Sequence, residues 1–202
     1  MADTKISALS AASAAALTNE IAINEAGTTK KLTVQQIVDL IGIKTKLLAS
    51  DFASPGTTMG KATDLDYTLA AGTYWFEYRC IWQTSVGTTA IKLGVNFSGT
   101  QTRFVVECTG AEATTAASTG AADQVHAAFG LRSGGSGRAP STTVSIYGPT
   151  AADTINADML AIIKGVIVVT VSGDLQLYFG SEATGSTQTL ESGTSLRITK
   201  VG

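Results

Sequence analysis

The stretch MLAIIKGVIVVTV, Met159 to Val171, decides the reading of this chain. In an extended strand, side chains alternate between two faces. Met159, Ala161, Ile163, Ile167, Val169 and Val171 then point one way, and Leu160, Ile162, Val166 and Val168 point the other. A strand that is apolar on both faces needs cover on both sides. In an antiparallel sandwich the core covers one face only, so a second copy of the chain or a loop of the same chain, such as 109–141, must cover the other. Trp75, Ile81 and Tyr178 stand on otherwise polar faces and extend the same patch. The candidate interface between copies is therefore Trp75, Ile81, Leu160, Ile162, Val166, Val168 and Tyr178. Lys164 interrupts the run, which is too short to span a bilayer.

Period-two alternation continues on either side. In Thr73–Gln83, the residues Tyr74, Phe76, Tyr78, Cys80 and Trp82 form one face and Trp75, Glu77, Arg79 and Ile81 the other. Ile91, Leu93, Val95 and Phe97 alternate with polar residues and glycine, as do Phe104, Val106 and Cys108 with charged neighbours. Further strands are expected at 142–147, 175–179 and 196–201. Ser172-Gly173-Asp174 reads as a tight turn closing a hairpin between the 159–171 strand and Leu175. Regular strands, Gly- and Thr-rich turns and no helical pattern after residue 44 predict a mainly β chain, an antiparallel sandwich. The Thr109–Pro140 segment, poor in hydrophobics, reads as a surface excursion.

The N-terminal zone differs in texture. It is Ala-rich, and Thr33-Val34-Gln35-Gln36 fits a capping box, in which the Thr33 hydroxyl accepts from the Gln36 amide and the Gln36 side chain reaches back. Val34, Ile37, Val38 and Ile41 follow at helical spacing, and Gly42 is a fitting stop. The expected organisation is a 1–44 segment with a short helix at 33–41, a 45–62 linker, and a β domain at 63–202.

Composition narrows the chemistry. Fourteen Lys and Arg against sixteen Asp and Glu leave a net charge of −2, and charged residues are only 15% of the chain. Without a basic cluster, phosphate neutralisation is unavailable and nucleic acid is not an expected partner. One histidine, His126, and two cysteines, Cys80 and Cys108, exclude zinc or iron–sulfur centres built from those ligands, and no cofactor is expected. The chain carries no basic stretch followed by an apolar core at its start, so a cytosolic origin, free thiols and no membrane insertion are expected. No G-x-S-x-G motif occurs, and nothing around His126 orients it as a base. Asp64-Leu65-Asp66 places two carboxylates on one strand face, which could serve a glycosidase or a hard cation; a solvated strand edge is the simpler reading. The Gly-rich stretch between Arg132 and Arg138 lacks the Lys-Ser/Thr of a phosphate loop and reads as a loop tip, the place where a binding scaffold carries specificity. Arg132 and Arg138 are the candidate ligand-binding residues, and no enzyme is expected.

Two sets of segments resemble proteins of tailed-bacteriophage particles. KISAL (Lys5–Leu9), LTNEIAINE (Leu17–Glu25) and GTTKKLTVQQI (Gly27–Ile37) resemble the opening of phage fibre and decoration proteins. LAAGTYWFE (Leu69–Glu77), IKGVIVVT (Ile163–Thr170), GDLQLYF (Gly173–Phe179) and SGTSLRI (Ser192–Ile198) are similar to phage head domains with a tumour-necrosis-factor-like, complement-type jelly roll, which are homotrimers. Gly193-Thr194-Ser195-Leu196 lacks the aromatic that those domains carry at this place. The resemblance implies a non-enzymatic virion protein on the particle exterior, assembled in the host bacterial cytoplasm. Its attachment end would use Ile6, Leu9, Ile21, Ile23, Val34, Ile37, Val38 and Ile41. Its partners would be its own copies, in a homotrimer, and capsid or tail proteins, with capsid favoured because the chain has no shaft-like repeat. The alternative is a tail-attached head recognising a host surface glycan. Burying about 800 Å² of apolar surface per subunit contributes about 20 kcal/mol before association costs, ample for an obligate trimer.

Overall fold

The structure, a computed structural model, describes residues 19–34, 36–37, 42–54, 56–112, 124–127, 131–132 and 155–201. Its strands are β1 (Glu20–Glu25), β2 (Thr28–Thr33), β3 (Ile43–Leu47), β4 (Phe52–Ser54), β5 (Gly60–Lys61), β6 (Tyr67–Leu69), β7 (Gly72–Thr84), β8 (Ile91–Phe97), β9 (Thr100–Glu112), β10 (Gln124–Ala127), β11 (Leu131–Arg132), β12 (Met159–Val171), β13 (Gly173–Ser181), β14 (Gln188–Leu190) and β15 (Ser195–Lys200). The chain divides into two units, Met1–Ile43 and Lys44–Gly202.

In the first unit, β1 and β2 form an antiparallel hairpin closed at Glu25 and Thr28. Its two turn residues, Ala26 and Gly27, both have positive φ, 52° and 81°. That is the turn geometry whose twist matches paired strands. The capping bonds expected from the sequence are present: the Gln36 amide donates to Thr33 Oγ1 at 3.1 Å, and the Thr33 amide donates to Gln36 Oε1 at 2.8 Å. Thr33 itself ends β2, and Val34, Gln36 and Ile37 are helical. The remainder of the expected 33–41 helix lies outside the described residues, as does the expected 142–147 strand.

The second unit is mainly β, with two antiparallel sheets. In the larger, the order is β10-β9-β12-β7-β14-β4, with β11 also on β9, β15 beside β7, and β3 on β15. In the smaller, β13 is central, with β8 on one edge and β5 and β6 on the other. The inner faces close one core: Phe76, Tyr78, Trp82, Phe104, Ile163 and Ile167 from the large sheet meet Leu93, Leu175, Leu177 and Phe179 from the small one. Phe76 stacks on Phe104 with ring centres 5.7 Å apart. The faces expected for 73–83, 91–97 and 103–108 are the buried ones.

Three expectations are corrected. Ser172-Gly173-Asp174 does not close a hairpin, because β12 lies between β9 and β7 with both edges paired, and β13 belongs to the other sheet. Residues 45–62 are no plain linker: they supply part of β3 and all of β4 and β5, and Leu48, Met59 and Ala62 are buried. Short strands interrupted by Gly and Ser escape a periodicity reading. Part of the 109–141 excursion also folds back, β10 and β11 pairing with β9.

The sheet change at Ser172 depends on a glycine contact. A Cβ on Gly173 would lie 2.1 Å from the Gly99 amide nitrogen, and one on Gly99 would lie 2.4 Å from the Val171 carbonyl. Backbone cannot yield as a flexible side chain can. Gly173→Ala is expected to destabilise the protein by about 2 kcal/mol or more. Gly60→Ala, where a Cβ meets nothing within 4 Å, should stay within about 0.5 kcal/mol in denaturant melts.

Candidate functional site

The site grows from the outer face of the large sheet, where the odd residues of β7 and the even residues of β12 point. Register fixes the rows. Leu160 is opposite Ile81; Ile162 opposite Arg79; Lys164 opposite Glu77; Val166 opposite Trp75. On the far side of β12, Lys164 is opposite Glu107 and Val166 opposite Val105, while across β7 Arg197 and Thr199 of β15 stand opposite Glu77 and Trp75. Trp75 is 61% exposed, Leu160 47% and Val105 40%, against a core that is nearly dry. Ile162, Val166 and Val168 are half-buried.

An open groove of about 590 Å³ runs over this face, bounded by Trp75, Val105, Val166, Glu107, Lys164 and Arg197. Gly165 is among the residues that line it. A Cβ at that position would lie 2.2 Å from the Val105 carbonyl and 2.6 Å from the Phe76 ring beneath. Charges on the face are paired at close range: Arg79 Nε lies 2.7 Å from Glu77 Oε1, and Lys164 Nζ lies 3.5 Å from Glu107 Oε2. Exposed pairs of this kind contribute little to stability.

Six of the seven expected interface residues share this face; Tyr178 does not. It lies on β13, opposite Lys61 and Gly94 in the small sheet, so it cannot extend the Trp75 patch. Sequence alternation assigns a face to each strand, but not which sheet the strand joins. Ile81 is half-buried because the turn before β15 covers it: a Cβ on Gly193 would lie 3.6 Å from Ile81 Cδ1. Here β7 passes from β15 to β14 as neighbour, and the Thr194 hydroxyl fills the gap, accepting from the Ile81 amide at 3.0 Å and donating to its carbonyl at 3.1 Å. Val171, expected with the core-facing residues, is exposed at the strand end.

The other expected sites separate. Of the attachment residues, Ile21 is exposed and Ile23, Val34 and Ile37 are half-buried, while Ile6, Leu9, Val38 and Ile41 lie outside the described residues. Arg132 belongs to β11, opposite Val105, rather than to a loop tip, and Arg138 lies outside the described residues. Asp64 and Asp66 are not on a strand face: Asp64 takes a positive φ of 70° between β5 and β6. Asp66 is held by Lys61 at 2.7 Å, which lowers its carboxyl pKa. Cys80 and Cys108 are free and buried, Cys108 pushed up to about 12 by burial and the nearby Glu107 charge. Because β12 separates their strands and the register offsets them by two residues, the two cysteines sit about 12 Å apart, too far for a disulfide. Among the described residues, no group of three or more His, Cys, Asp or Glu could hold a metal ion. No helix among them is long and apolar enough to cross a membrane.

The rim of the face at Ile81 carries a feature that periodicity missed. Glu191 donates its amide to the Ile81 carbonyl at 2.8 Å, and Asp51 accepts from the Ser192 amide at 2.9 Å. Partial burial raises the Glu191 pKa, and the Asp51 and Asp158 carboxylates raise it further. The folded protein therefore holds this proton more tightly than the unfolded chain. The stability it contributes is present below the ordinary glutamate range and is lost as pH rises through the raised value.

No family model matches the chain, and comparison with curated proteins finds no match. Glu191→Gln should melt at a higher temperature than the wild type at neutral pH. The two melting curves should converge as pH falls below the ordinary glutamate range.

Proposed function

We propose that this chain is a non-enzymatic structural protein of a tailed-bacteriophage particle: a homotrimeric fibre or decoration element with a jelly-roll head, borne on the particle exterior through its N-terminal segment. The observation that carries the self-association is the outer face of the large sheet, where Trp75 and Val105 remain exposed at an open groove and Leu160 is exposed further along the same face. Large apolar side chains left exposed together on one sheet face support an interaction surface there. Sheet-changing connections from β6 to β9 and from β12 to β14 favour the jelly roll. The phage assignment and the attachment role rest on the resemblance of Lys5–Leu9, Leu17–Glu25 and Gly27–Ile37. Capsid attachment is favoured over tail attachment because the chain has no repeat that would build a shaft.

One observation favours a second reading, a tail-borne head that binds a host glycan. The exposed Trp75 indole beside Glu77, Lys164 and Arg197 offers an aromatic platform with polar groups around it. Adsorption of the isolated protein to host cells, lost in Trp75→Ala with assembly intact, would decide for this reading.

Deleting residues 2–41 leaves β3 whole. The truncated protein should assemble as the full chain does, by mass measurement, yet be missing from particles grown with it. Normal incorporation of the truncated protein would remove the attachment role from this segment.

A further inference from the structure

The charges on the outer face stand in an order with a geometric consequence. Arg197 on β15, Glu77 on β7, Lys164 on β12 and Glu107 on β9 are successive register partners and form one row. Its signs run plus, minus, plus, minus over about 14 Å at ordinary strand spacing. Turned end for end, this row is its own electrostatic complement. Within the chain the complement is only half used. Lys164 reaches Glu107 and Glu77 holds Arg79, while Arg197 makes no ion pair among the described residues.

A rotation about an axis parallel to the strands keeps each residue at its height along them. It turns the left half of one face toward the right half of the next, so each row meets itself reversed. Arg197 then meets Glu107 of the next copy, and Glu77 meets Lys164. The neighbouring row brings Trp75 toward Val166, and Ile81 comes toward Leu160. An in-plane axis perpendicular to the strands would instead set each charge on its like, a costly juxtaposition. Height is preserved whatever the rotation angle, so the same pairing serves two copies or three.

We propose that copies of this chain associate through this face about an axis parallel to β7 and β12, with Arg197 of one copy paired to Glu107 of the next. The occupant is a second copy because the face supplies its own complement, which a foreign partner would have to match independently. This rests on the self-association reading above and adds its orientation and specificity.

The test is a charge exchange on the full chain: Arg197→Glu, Glu107→Arg and the double exchange. Assembly is read by sedimentation over a concentration series at low and high salt, and folding by circular dichroism. Arg197 is exposed and Glu107 half-exposed, so all three variants should fold as the wild type does. Each single exchange should weaken assembly by about tenfold or more, and the double exchange should return it to within about threefold of the wild type. High salt should narrow these differences. Single exchanges that assemble like the wild type, or a double exchange as weak as its parents combined, would overturn the charge pairing and leave self-association standing. A wild type that stays monomeric at every concentration would overturn both.

Discussion

The ladder of β12 between β9 and β7 is the constraint from which the rest of the molecule follows. Both edges of this strand are hydrogen-bonded along most of its length, eleven register pairs being made with β7 and ten with β9. A strand with no free edge can neither turn back into a hairpin nor accept another partner. Its only remaining freedom is which residues lie above and below the sheet. Ala161, Ile163 and Ile167 go into the core, and Leu160, Ile162, Val166 and Val168 are left outside. The chain leaving β12 must cross to the other sheet, and the crossing is possible because Gly173 meets Gly99 with no side chain between them.

Polar groups close the structure where strand pairing runs out. Thr194 supplies the acceptor that the Ile81 amide would otherwise lack between β15 and β14, and its hydroxyl joins the Glu191 amide in donating to the Ile81 carbonyl. At the same end of the sandwich, the Gln188 amide donates to the hydroxyls of Thr84 and Ser186, both at 2.9 Å, and all three residues are buried. Their donors and hydroxyls find partners in one another, while Gln188 Oε1 and Trp82 Nε1 are buried without one. The abundance of Ser and Thr in this weakly charged chain thus has a structural use, in hydroxyls that stand in for missing backbone partners.

The fold places the candidate side chains of the sequence differently from their order along the chain. Asp64 and Asp66 do not share a strand face, and Asp66 is committed to Lys61. The cysteines are buried thiols whose anions are disfavoured. What remains is a broad sheet face with an exposed tryptophan, aliphatic neighbours and an alternating charge row. The first unit, with its tight hairpin and capped turn, is separate from this face in sequence and in construction.

Alternation along each strand is a local property, so residue order alone determined which side chains of β7, β8, β9 and β12 enter the core, Val171 at the strand end excepted. It also determined the excess of apolar residues on the second face of β12 and the capping bonds between Thr33 and Gln36. Pairing between strands is a non-local property. Only the tertiary structure decided that β12 and β13 part into different sheets, that Tyr178 leaves the Trp75 patch, and that residues 45–62 join the sandwich. The charge row belongs to this second class. Glu77, Glu107, Lys164 and Arg197 lie far apart in sequence, and only the register of four strands sets them side by side.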